Sequence, residues 1–176
     1  VLEVRGSWDL GLGIRYDDPD RVGVDRVAAA AAAFADRPPG QGVVVADAGT
    51  AITVDAVDAR GTFLGGLILP GLRLGLTALG GGTSLLPQVP LDPAASLLGR
   101  STPACLQAGA LHGGAALLDG LFERIADQVG TPMTGYLTGG DGPFLAGRTT
   151  RYARHDPGLV LRGLRLAYHR RTGRSR

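Results

Sequence analysis

Residues 43–69 read VVVADAGTAITVDAVDARGTFLGGLIL, and this segment determines the kind of sheet that the chain forms. It contains three runs rich in β-branched residues, which favour strands: Val43–Ala46, Ala51–Val57 and Thr62–Leu69. Turn-forming residues separate the runs at Asp47–Thr50 and Asp58–Gly61. Connections this short join antiparallel neighbours, so the segment predicts an antiparallel meander of three strands.

An alanine-rich helix is predicted directly before the meander. Alanine dominates Val22–Phe34, and alanine has the highest helix propensity of all residues. Asp25 falls in the first turn of this helix, where the helix dipole stabilises a negative charge. The next segment, Arg37–Gly42, contains two adjacent prolines and cannot continue a helix. We therefore place a boundary there, between residues 1–38 and residues 39–176.

Further helices and one strand are predicted after the meander. Pro70–Leu79 has apolar residues at helical spacing and should end at glycines 80–82, before an irregular segment, 83–98. Thr102 before Pro103 is typical of an N-cap and a first helical position, and this longest helix should stop at Gly130. The remaining predicted elements are a strand at Tyr136–Thr138 and a final helix that is capped by Asp156-Pro157 and ends at Tyr168.

The composition indicates an α/β chain with a substantial core. Of the 176 residues, 44% are hydrophobic and 19% are charged, which suffices for one domain or one large lobe. All 18 basic side chains other than histidine are arginine, because the chain has no lysine. Mechanisms that require a phosphate-loop lysine or a Schiff-base lysine are therefore excluded.

Several sequence features bear on location and partners. Cys105 is the single cysteine, which excludes an internal disulfide, and the three histidines lack the spacing of a zinc site. The opening residues are charged, and the longest apolar run, Phe63–Leu72, is too short to cross a bilayer. The arginines near the carboxyl terminus lack the interleaved aromatic residues of a nucleic-acid arm. We therefore expect a soluble, cytoplasmic protein without nucleic-acid or membrane partners.

The turn Asp47-Ala48-Gly49-Thr50 is the first candidate site. Between two strands, a glycine lets backbone N–H groups approach a phosphate, while a hydroxyl and a carboxylate face the same space. Asp47 would be suited to hold a cation there. Aspartate and glycine are also the commonest residues of ordinary hairpin turns, so the residues alone leave both interpretations open.

Two other motifs carry comparable alternatives. The glycine pair in Gly139-Gly140-Asp141 follows a strand and permits close approach to a nucleotide base or sugar, but it also suits an ordinary strand-to-helix turn. In Gly23-Val24-Asp25-Arg26, the arginine can clamp an anionic substrate and the aspartate can accept a proton. The other interpretation of this motif is a surface ion pair or a capping group.

Taken in order, these motifs resemble the type III pantothenate kinases. The likeness runs from about Ile14 to Tyr168, and several separate motifs in one order are far more specific than any one of them. The positions that carry it are Tyr16-Asp17-Asp18-Pro19, Gly23–Arg26, Asp47–Ala51, Thr53, Asp55, Gly61, Leu64-Gly65-Gly66, Pro70-Gly71, Leu79, Leu86-Pro87, Gly99–Thr102, Gly109, Thr138–Asp141 and Leu159–Leu164.

The resemblance implies a fold and a reaction. The family belongs to the acetate and sugar kinase, heat-shock and actin superfamily, so we expect an α/β, actin-like ATPase lobe of the ribonuclease H-like type, with a mixed sheet flanked by helices. Residues 1–38 would be a remnant of the first lobe and the interlobe helix, and residues 39–176 the second lobe. The implied reaction is the ATP-dependent phosphorylation of pantothenate to 4'-phosphopantothenate, the first step of coenzyme A biosynthesis.

The same resemblance implies roles for individual residues. Asp25 would be the proton acceptor, and Asp47 would bind a monovalent cation, potassium or ammonium. Mg²⁺ would accompany ATP, and the protein would be a homodimer with its substrate pocket near the interface. The residues implied for the pantothenate pocket are Tyr16, Gly23, Val24, Asp25, Arg26 and Thr102, and those implied for ATP are Gly49, Thr50, Gly139 and Gly140.

One part of the family pattern has no counterpart in this sequence. The family begins with a strand that bears an Asp-x-Gly-Asn-Ser/Thr phosphate loop, and nothing in residues 1–21 supplies it. Three hypotheses follow. The chain is a fragment or misannotated start of a working kinase, which we favour; or it is a non-catalytic binding or regulatory descendant of the kinase; or it is a kinase of the same superfamily that acts on another small acidic alcohol.

Overall fold

The computed structural model describes residues 10–173, which contain one six-stranded sheet and six helices. The strands are β1 (Gly13–Ile14), β2 (Gly42–Ala48), β3 (Ala51–Val57), β4 (Thr62–Pro70), β5 (Met133–Thr138) and β6 (Arg154–His155). The helices are α1 (Val24–Asp36), α2 (Leu72–Gly82), α3 (Thr102–Ala108), α4 (Gly114–Val129), α5 (Gly142–Ala146) and α6 (Leu159–Thr172). A short 3₁₀ turn at Pro19–Arg21 precedes α1, and a π-helical turn at Gly109–Gly113 joins α3 to α4.

The sheet has the strand order β1-β4-β3-β2-β5-β6. Strands β2, β3 and β4 pair antiparallel, as the predicted meander requires. Strands β5 and β6 continue the sheet parallel to β2, and β1 is added parallel to β4 at the other edge. A meander followed by parallel strands on the side of its first strand is the ribonuclease H-like arrangement of actin-like ATPase lobes. The predicted fold class is therefore confirmed.

Helices cover both faces of the sheet and enclose two cores. One core lies between the sheet and helices α1 and α6, and the other lies on the opposite face, under α2 and α4. Strand β2 contributes to both, because its side chains alternate: Val43 and Val45 belong to the first core, and Val44 and Ala46 to the second. A strand covered on both faces is a nearly continuous apolar run, which explains the composition of residues 43–46.

Helices α1 and α6 pack unusually closely. The alanines of α1 are buried at all positions from 28 to 33, which leaves little side-chain volume between the two helices. Gly163 of α6 lies so near the backbone of Ala28 that a Cβ at this position would overlap the Ala28 carbonyl. The small residues on both helices thus fix the depth at which α1 sits over the sheet, and α1 carries Asp25 and Arg26 in its first turn.

Several predicted boundaries need correction. Helix α2 continues through glycines 80–82 and ends with Thr83 as its C-cap, so these glycines do not terminate it. The N-cap of α3 is Ser101, whose Oγ accepts a hydrogen bond from the Ala104 N–H, and Thr102 is the first helical residue rather than the cap. The final helix begins at Leu159 with Gly158 as its N-cap. Asp156 instead accepts a hydrogen bond from the Gly158 N–H at 2.8 Å.

Two other predictions concern the chain as a whole. No helix within residues 10–173 is long and apolar enough to cross a bilayer. The predicted division into residues 1–38 and 39–176 remains a prediction.

Candidate active site

Strand alternation places three polar residues of the meander on the α1 side of the sheet. Asp47 of β2 pairs with Thr53 of β3, and Asp55 pairs with Val45. Directly paired residues of antiparallel strands point to the same face, and so do residues two apart along one strand. Because Val45 packs in the core under α1, Asp47, Thr53 and Asp55 lie on that face as well.

An ion pair connects the first turn of α1 to this face. The Arg26 Nε lies 3.1 Å from each carboxylate oxygen of Asp55, and the two side chains are only 9% and 2% exposed. The hydrogen bond to Asp55 raises the pKa of the Arg26 guanidinium, and desolvation opposes that rise. Burial raises the pKa of the Asp55 carboxyl, and the hydrogen bond from Arg26 opposes it. The pair holds the Arg26 side chain in one position.

Asp25 and Asp47 bring two more carboxylates to the same region. The Asp25 Oδ1 accepts a hydrogen bond of 3.0 Å from the Arg26 N–H at the start of α1. Burial and then repulsion from Asp25 and Asp55 raise the pKa of the Asp47 carboxyl. No residue between 10 and 173 forms an ion pair with Asp47. The aspartate cluster of Asp25, Asp47 and Asp55 therefore carries excess negative charge, which a cation would neutralise.

The other residues predicted for the substrate pocket lie near the start of α1, with one exception. Gly23 is the N-cap of α1 and Val24 is its first residue. The Tyr16 ring lies over Gly65, so that a Cβ at residue 65 would be 3.6 Å from the ring. The Tyr16 hydroxyl also contributes, after Asp55, to the raised pKa of Arg26. Tyr16 thus stands on the outer side of the ion pair.

Thr102 is the exception. It is exposed in the first turn of α3, a helix whose main contacts are with the π-helical turn that follows it. Among residues 10–173, no hydrogen bond joins Thr102 to the residues around Asp25. The structure of the single chain does not bring Thr102 together with the other predicted pocket residues.

The turn between β5 and α5 lies against the end of β2. The Asp141 N–H donates to the Ala48 carbonyl at 2.8 Å. Gly139 has a φ of +91°, in the left-handed region, and a Cβ there would overlap both the Ala48 carbonyl and the Asp47 carboxylate. Only glycine suits both the conformation and the close approach. The turn therefore lies within contact distance of Asp47.

A cavity of about 420 Å³ lies between this turn, the β2–β3 turn and the start of α2. Its lining residues are Gly49, Thr50, Arg73, Leu74, Thr77, Gly140 and Asp141. Three residues predicted to bind ATP, Gly49, Thr50 and Gly140, thus surround one space. Backbone N–H groups and hydroxyls around a cavity of this size suit the phosphates and ribose of a nucleotide. We call it the nucleotide cleft, after the ligand that the sequence analysis predicts for these residues.

Sequence reasoning assigned no role to Arg73, Thr77 and Asp141, which also line the nucleotide cleft. Asp141 belonged to the quoted glycine motif, and its position directly after two glycines could have indicated that it lines a site. Arg73 and Thr77 are on α2, and nothing in their local sequence indicates that α2 begins beside the β5–α5 turn. Asp55 belonged to the quoted motif too, but its pairing with Arg26 across 29 positions was not predicted.

Within the aspartate cluster, Asp47 is the carboxylate best suited to a cation. Oxygen donors are the preferred ligands of potassium and magnesium ions, and a carboxylate without an ionic partner gains most from such an ion. No group of three or more His, Cys, Asp and Glu side chains within residues 10–173 has the arrangement of a metal site. Asp47 would therefore hold a cation together with backbone oxygens, with water or with the oxygens of a bound phosphate.

Comparison with known proteins identifies the family. The family model for type III pantothenate kinase matches residues 1–124. A type III pantothenate kinase of Anaeromyxobacter dehalogenans is 39% identical over 160 residues, which are 91% of this chain and 62% of that protein. The corresponding enzyme of Rhodospirillum rubrum is 40% identical over 165 residues, which are 93% of this chain and 63% of that protein. This chain thus spans less than two thirds of the length of these relatives.

A solved structure shares the fold of this chain. A conserved protein of Campylobacter jejuni, described as a Baf family transcriptional activator, superposes with a TM-score of 0.66 at 28% identity. The superposition covers 94% of this chain and 71% of that one. The match of the family model to well over half of the sequence, together with these relatives, shows that the chain belongs to the type III pantothenate kinase family.

Proposed function

We propose that this chain contributes the second lobe of an enzyme that phosphorylates pantothenate with ATP, giving 4'-phosphopantothenate for coenzyme A biosynthesis. The observation that supports the proposal most directly is the position of Asp47. Its carboxylate is affected electrostatically by Asp25, and it also lies against Gly139 of the β5–α5 turn. One residue therefore connects the predicted substrate pocket to the nucleotide cleft.

The proposed reaction follows from this arrangement. Phosphoryl transfer passes through a loose transition state, so catalysis depends mainly on positioning and on neutralising charge. Asp25 orients the pantothenate hydroxyl towards the γ-phosphate and accepts its proton as the new oxygen–phosphorus bond forms and the bond from the γ-phosphorus to the β–γ bridging oxygen breaks, which releases ADP. Arg26, held by Asp55, presents a positive charge beside Asp25, where it binds the carboxylate of pantothenate. Gly23, Val24 and Tyr16 shape the pocket around it.

The proposed cofactors occupy the two adjoining regions. ATP lies in the nucleotide cleft, with its phosphates near Gly49 and Thr50 and its ribose near Gly139 and Gly140. Mg²⁺ accompanies ATP and neutralises charge on the phosphates. A potassium or ammonium ion binds at Asp47, which has no ionic partner among the described residues. Family membership also supports a homodimer, in which Thr102 approaches a pantothenate pocket near the interface, and a cytoplasmic location.

The direct test is an assay of ATP-dependent phosphorylation of pantothenate, with product detected by mass spectrometry. It is run on the 176-residue chain and on the translation of the complete upstream reading frame. Asp25→Asn should abolish turnover but retain ATP binding, because the carboxylate is needed for the hydroxyl and not for the nucleotide. Asp20→Asn, at an exposed position shortly before α1, is the matched control and should be as active as the unmodified protein. Near-normal rates for Asp25→Asn would remove Asp25 from the mechanism.

A second candidate function is ligand binding without catalysis, in a regulatory descendant of the kinase. The observation in its favour is that the solved Campylobacter jejuni structure, which is 28% identical with a TM-score of 0.66, is described as a transcriptional activator. Saturable binding of ATP and pantothenate without product, in the longest natural form of the protein, would favour this function over the first.

A further inference from the structure

Arg73 is the one basic residue among the described residues that line the nucleotide cleft. It stands in the first turn of α2, which begins at Leu72. Its Nε donates to Asp141 Oδ1 at 3.0 Å, and its Cζ lies 5.4 Å from the centroid of the Phe144 ring. Both contacts hold the guanidinium against the β5–α5 turn.

The pairing with Asp141 leaves most of the guanidinium available. Within residues 10–173, the hydrogen bonds of Arg73 involve Nε alone, so both Nη groups keep their donors for another acceptor. The Arg73 side chain is 59% exposed, whereas that of Asp141 is 7% exposed. A buried carboxylate thus anchors an accessible guanidinium. The planar arrangement of donors in arginine suits bidentate binding to a phosphate.

The charges around the cleft require such a group if a polyphosphate is to bind. The chain has no lysine, and Arg26, the other arginine of the site, is only 9% exposed and does not line the cleft. The Asp141 carboxylate lines the cleft and would repel a phosphate unless a cation neutralised it. The Gly49 N–H already donates to the Ala51 carbonyl, and the Thr50 N–H supplies only a partial charge. Arg73 meets both needs, since it neutralises Asp141 and offers donors to the ligand.

We propose that Arg73 is a positioning residue that binds the α- and β-phosphates of the nucleotide. This rests on the proposed function, because it takes ATP as the ligand of the cleft. The anchor of Arg73, Asp141, belongs to the turn assigned to the ribose, so Arg73 lies at the ribose end of the polyphosphate rather than at the transferred group. It therefore fixes the nucleotide without touching the atoms that react.

The test measures the dissociation constants of four ligands for the full chain by isothermal titration calorimetry: ATP, ADP, adenosine and inorganic tripolyphosphate. Arg73→Ala should weaken ATP, ADP and tripolyphosphate by about tenfold or more, the usual loss for one charge-assisted hydrogen-bonding group, and leave adenosine unchanged. Arg73→Lys should give intermediate values, because it keeps the charge but not the paired donors. Arg151→Ala is the matched control, since Arg151 is similarly exposed and paired with Glu123 away from the cleft.

A double variant distinguishes two roles of Arg73: direct contact with the phosphates, and neutralisation of the Asp141 charge that would repel them. If Arg73 acted only by neutralising Asp141, then Arg73→Ala with Asp141→Asn would bind ATP as tightly as the unmodified chain. Direct contact predicts that the double variant stays weak. Thermal unfolding of each variant identifies any loss that comes from misfolding.

The outcomes distinguish this inference from the proposed function. Equal ATP and ADP affinities in Arg73→Ala and the unmodified chain would overturn the role of Arg73 and leave the kinase proposal intact. Full recovery in the double variant, or a loss for ATP without one for ADP, would overturn direct binding of the α- and β-phosphates. Failure of the unmodified chain to bind either ATP or tripolyphosphate would overturn both.

Discussion

The guanidinium of Arg26 lies against the carboxylate of Asp55, with Nε 3.1 Å from both carboxylate oxygens. The pair connects α1 to the middle strand of the meander, and it is almost completely buried. Forming a buried pair gains little overall, because both charges lose water, but removing one partner leaves the other charge unpaired in the interior. This asymmetry gives the pair a clear signature in stability measurements.

Arg26→Met should lower the free energy of unfolding by about 3 kcal/mol, because it leaves the Asp55 carboxylate buried without a partner. Urea unfolding followed by circular dichroism measures this change. Arg151→Met breaks an ion pair with Glu123 in which both side chains are about half exposed. It should cost less than about 1 kcal/mol, as expected for a surface pair.

The deficit in the free energy of unfolding that Arg26→Met causes should also depend on pH. Without the arginine, burial raises the pKa of Asp55 further, so the carboxyl becomes protonated on acidification and the buried charge disappears. The deficit should therefore shrink as the pH falls from about 7 to about 4, towards the ordinary pKa of aspartate. An unchanged deficit over this range would mean that lost packing, not unpaired charge, causes the instability.

Asp47→Asn should stabilise the protein at neutral pH. Because the pKa of Asp47 is raised in the folded state, the folded chain holds this proton more tightly than the unfolded chain does. The Asp47 contribution to stability is thus most favourable below the unfolded pKa and is lost as the pH rises through the folded value. The Asp47→Asn variant does not titrate at residue 47. Its higher free energy of unfolding should therefore be present near neutrality and fade towards about pH 4.

The measurement is the difference in the free energy of unfolding between Asp47→Asn and the unmodified chain, followed across pH in buffers free of potassium and ammonium. Asp127→Asn is the control, since the Asp127 side chain is exposed on α4 and forms no ion pair within the described residues. An advantage for Asp47→Asn that grew on acidification would contradict the raised pKa.

Potassium should stabilise the unmodified chain and not Asp47→Asn. A cation that binds only the folded state raises the free energy of unfolding by RT ln(1 + c/Kd), where c is the cation concentration, and the melting temperature rises with it. Differential scanning fluorimetry in potassium chloride, compared with choline chloride at equal ionic strength, separates specific binding from salt screening. Equal melting temperatures in the two salts for the unmodified chain would argue against the proposed cation at Asp47.

Much of the fold could be predicted because local signals and tertiary structure agree. The β-branched runs of residues 43–69 form the predicted meander, and Asp25 occupies the first turn of α1 as expected. These features depend on neighbours in sequence, which single-sequence patterns describe well.

The features that escaped prediction depend on distant contacts. Arg73 meets Asp141 across 68 positions, and no property of either segment alone indicates that they adjoin. Glycines 80–82 remain helical although their propensity favours a helix end, so propensity did not decide the boundary of α2. Ser101 rather than Thr102 caps α3, a difference of one residue between two good capping types.

Gly163 is a motif residue whose purpose only the structure explains, and it yields the last prediction. Its Cα lies so near the carbonyl group of Ala28 that an added methyl group would force α1 and α6 apart. Gly163→Ala should therefore destabilise the protein by about 2 kcal/mol, a typical cost of overpacking, despite the higher helix propensity of alanine. Gly120→Ala in α4 is the matched control, because its Cβ would meet nothing within 4 Å.

The control should instead gain about 1 kcal/mol from helix propensity, so the two variants shift the free energy of unfolding in opposite directions. Since α1 carries Asp25 and Arg26, displacement by Gly163→Ala should also weaken pantothenate binding while leaving ATP affinity nearly unchanged, because none of the described residues that line the nucleotide cleft belongs to α1. Calorimetric titration with both ligands checks this second effect. Equal losses for the two ligands would show that α1 packing supports the whole lobe rather than the position of its first turn.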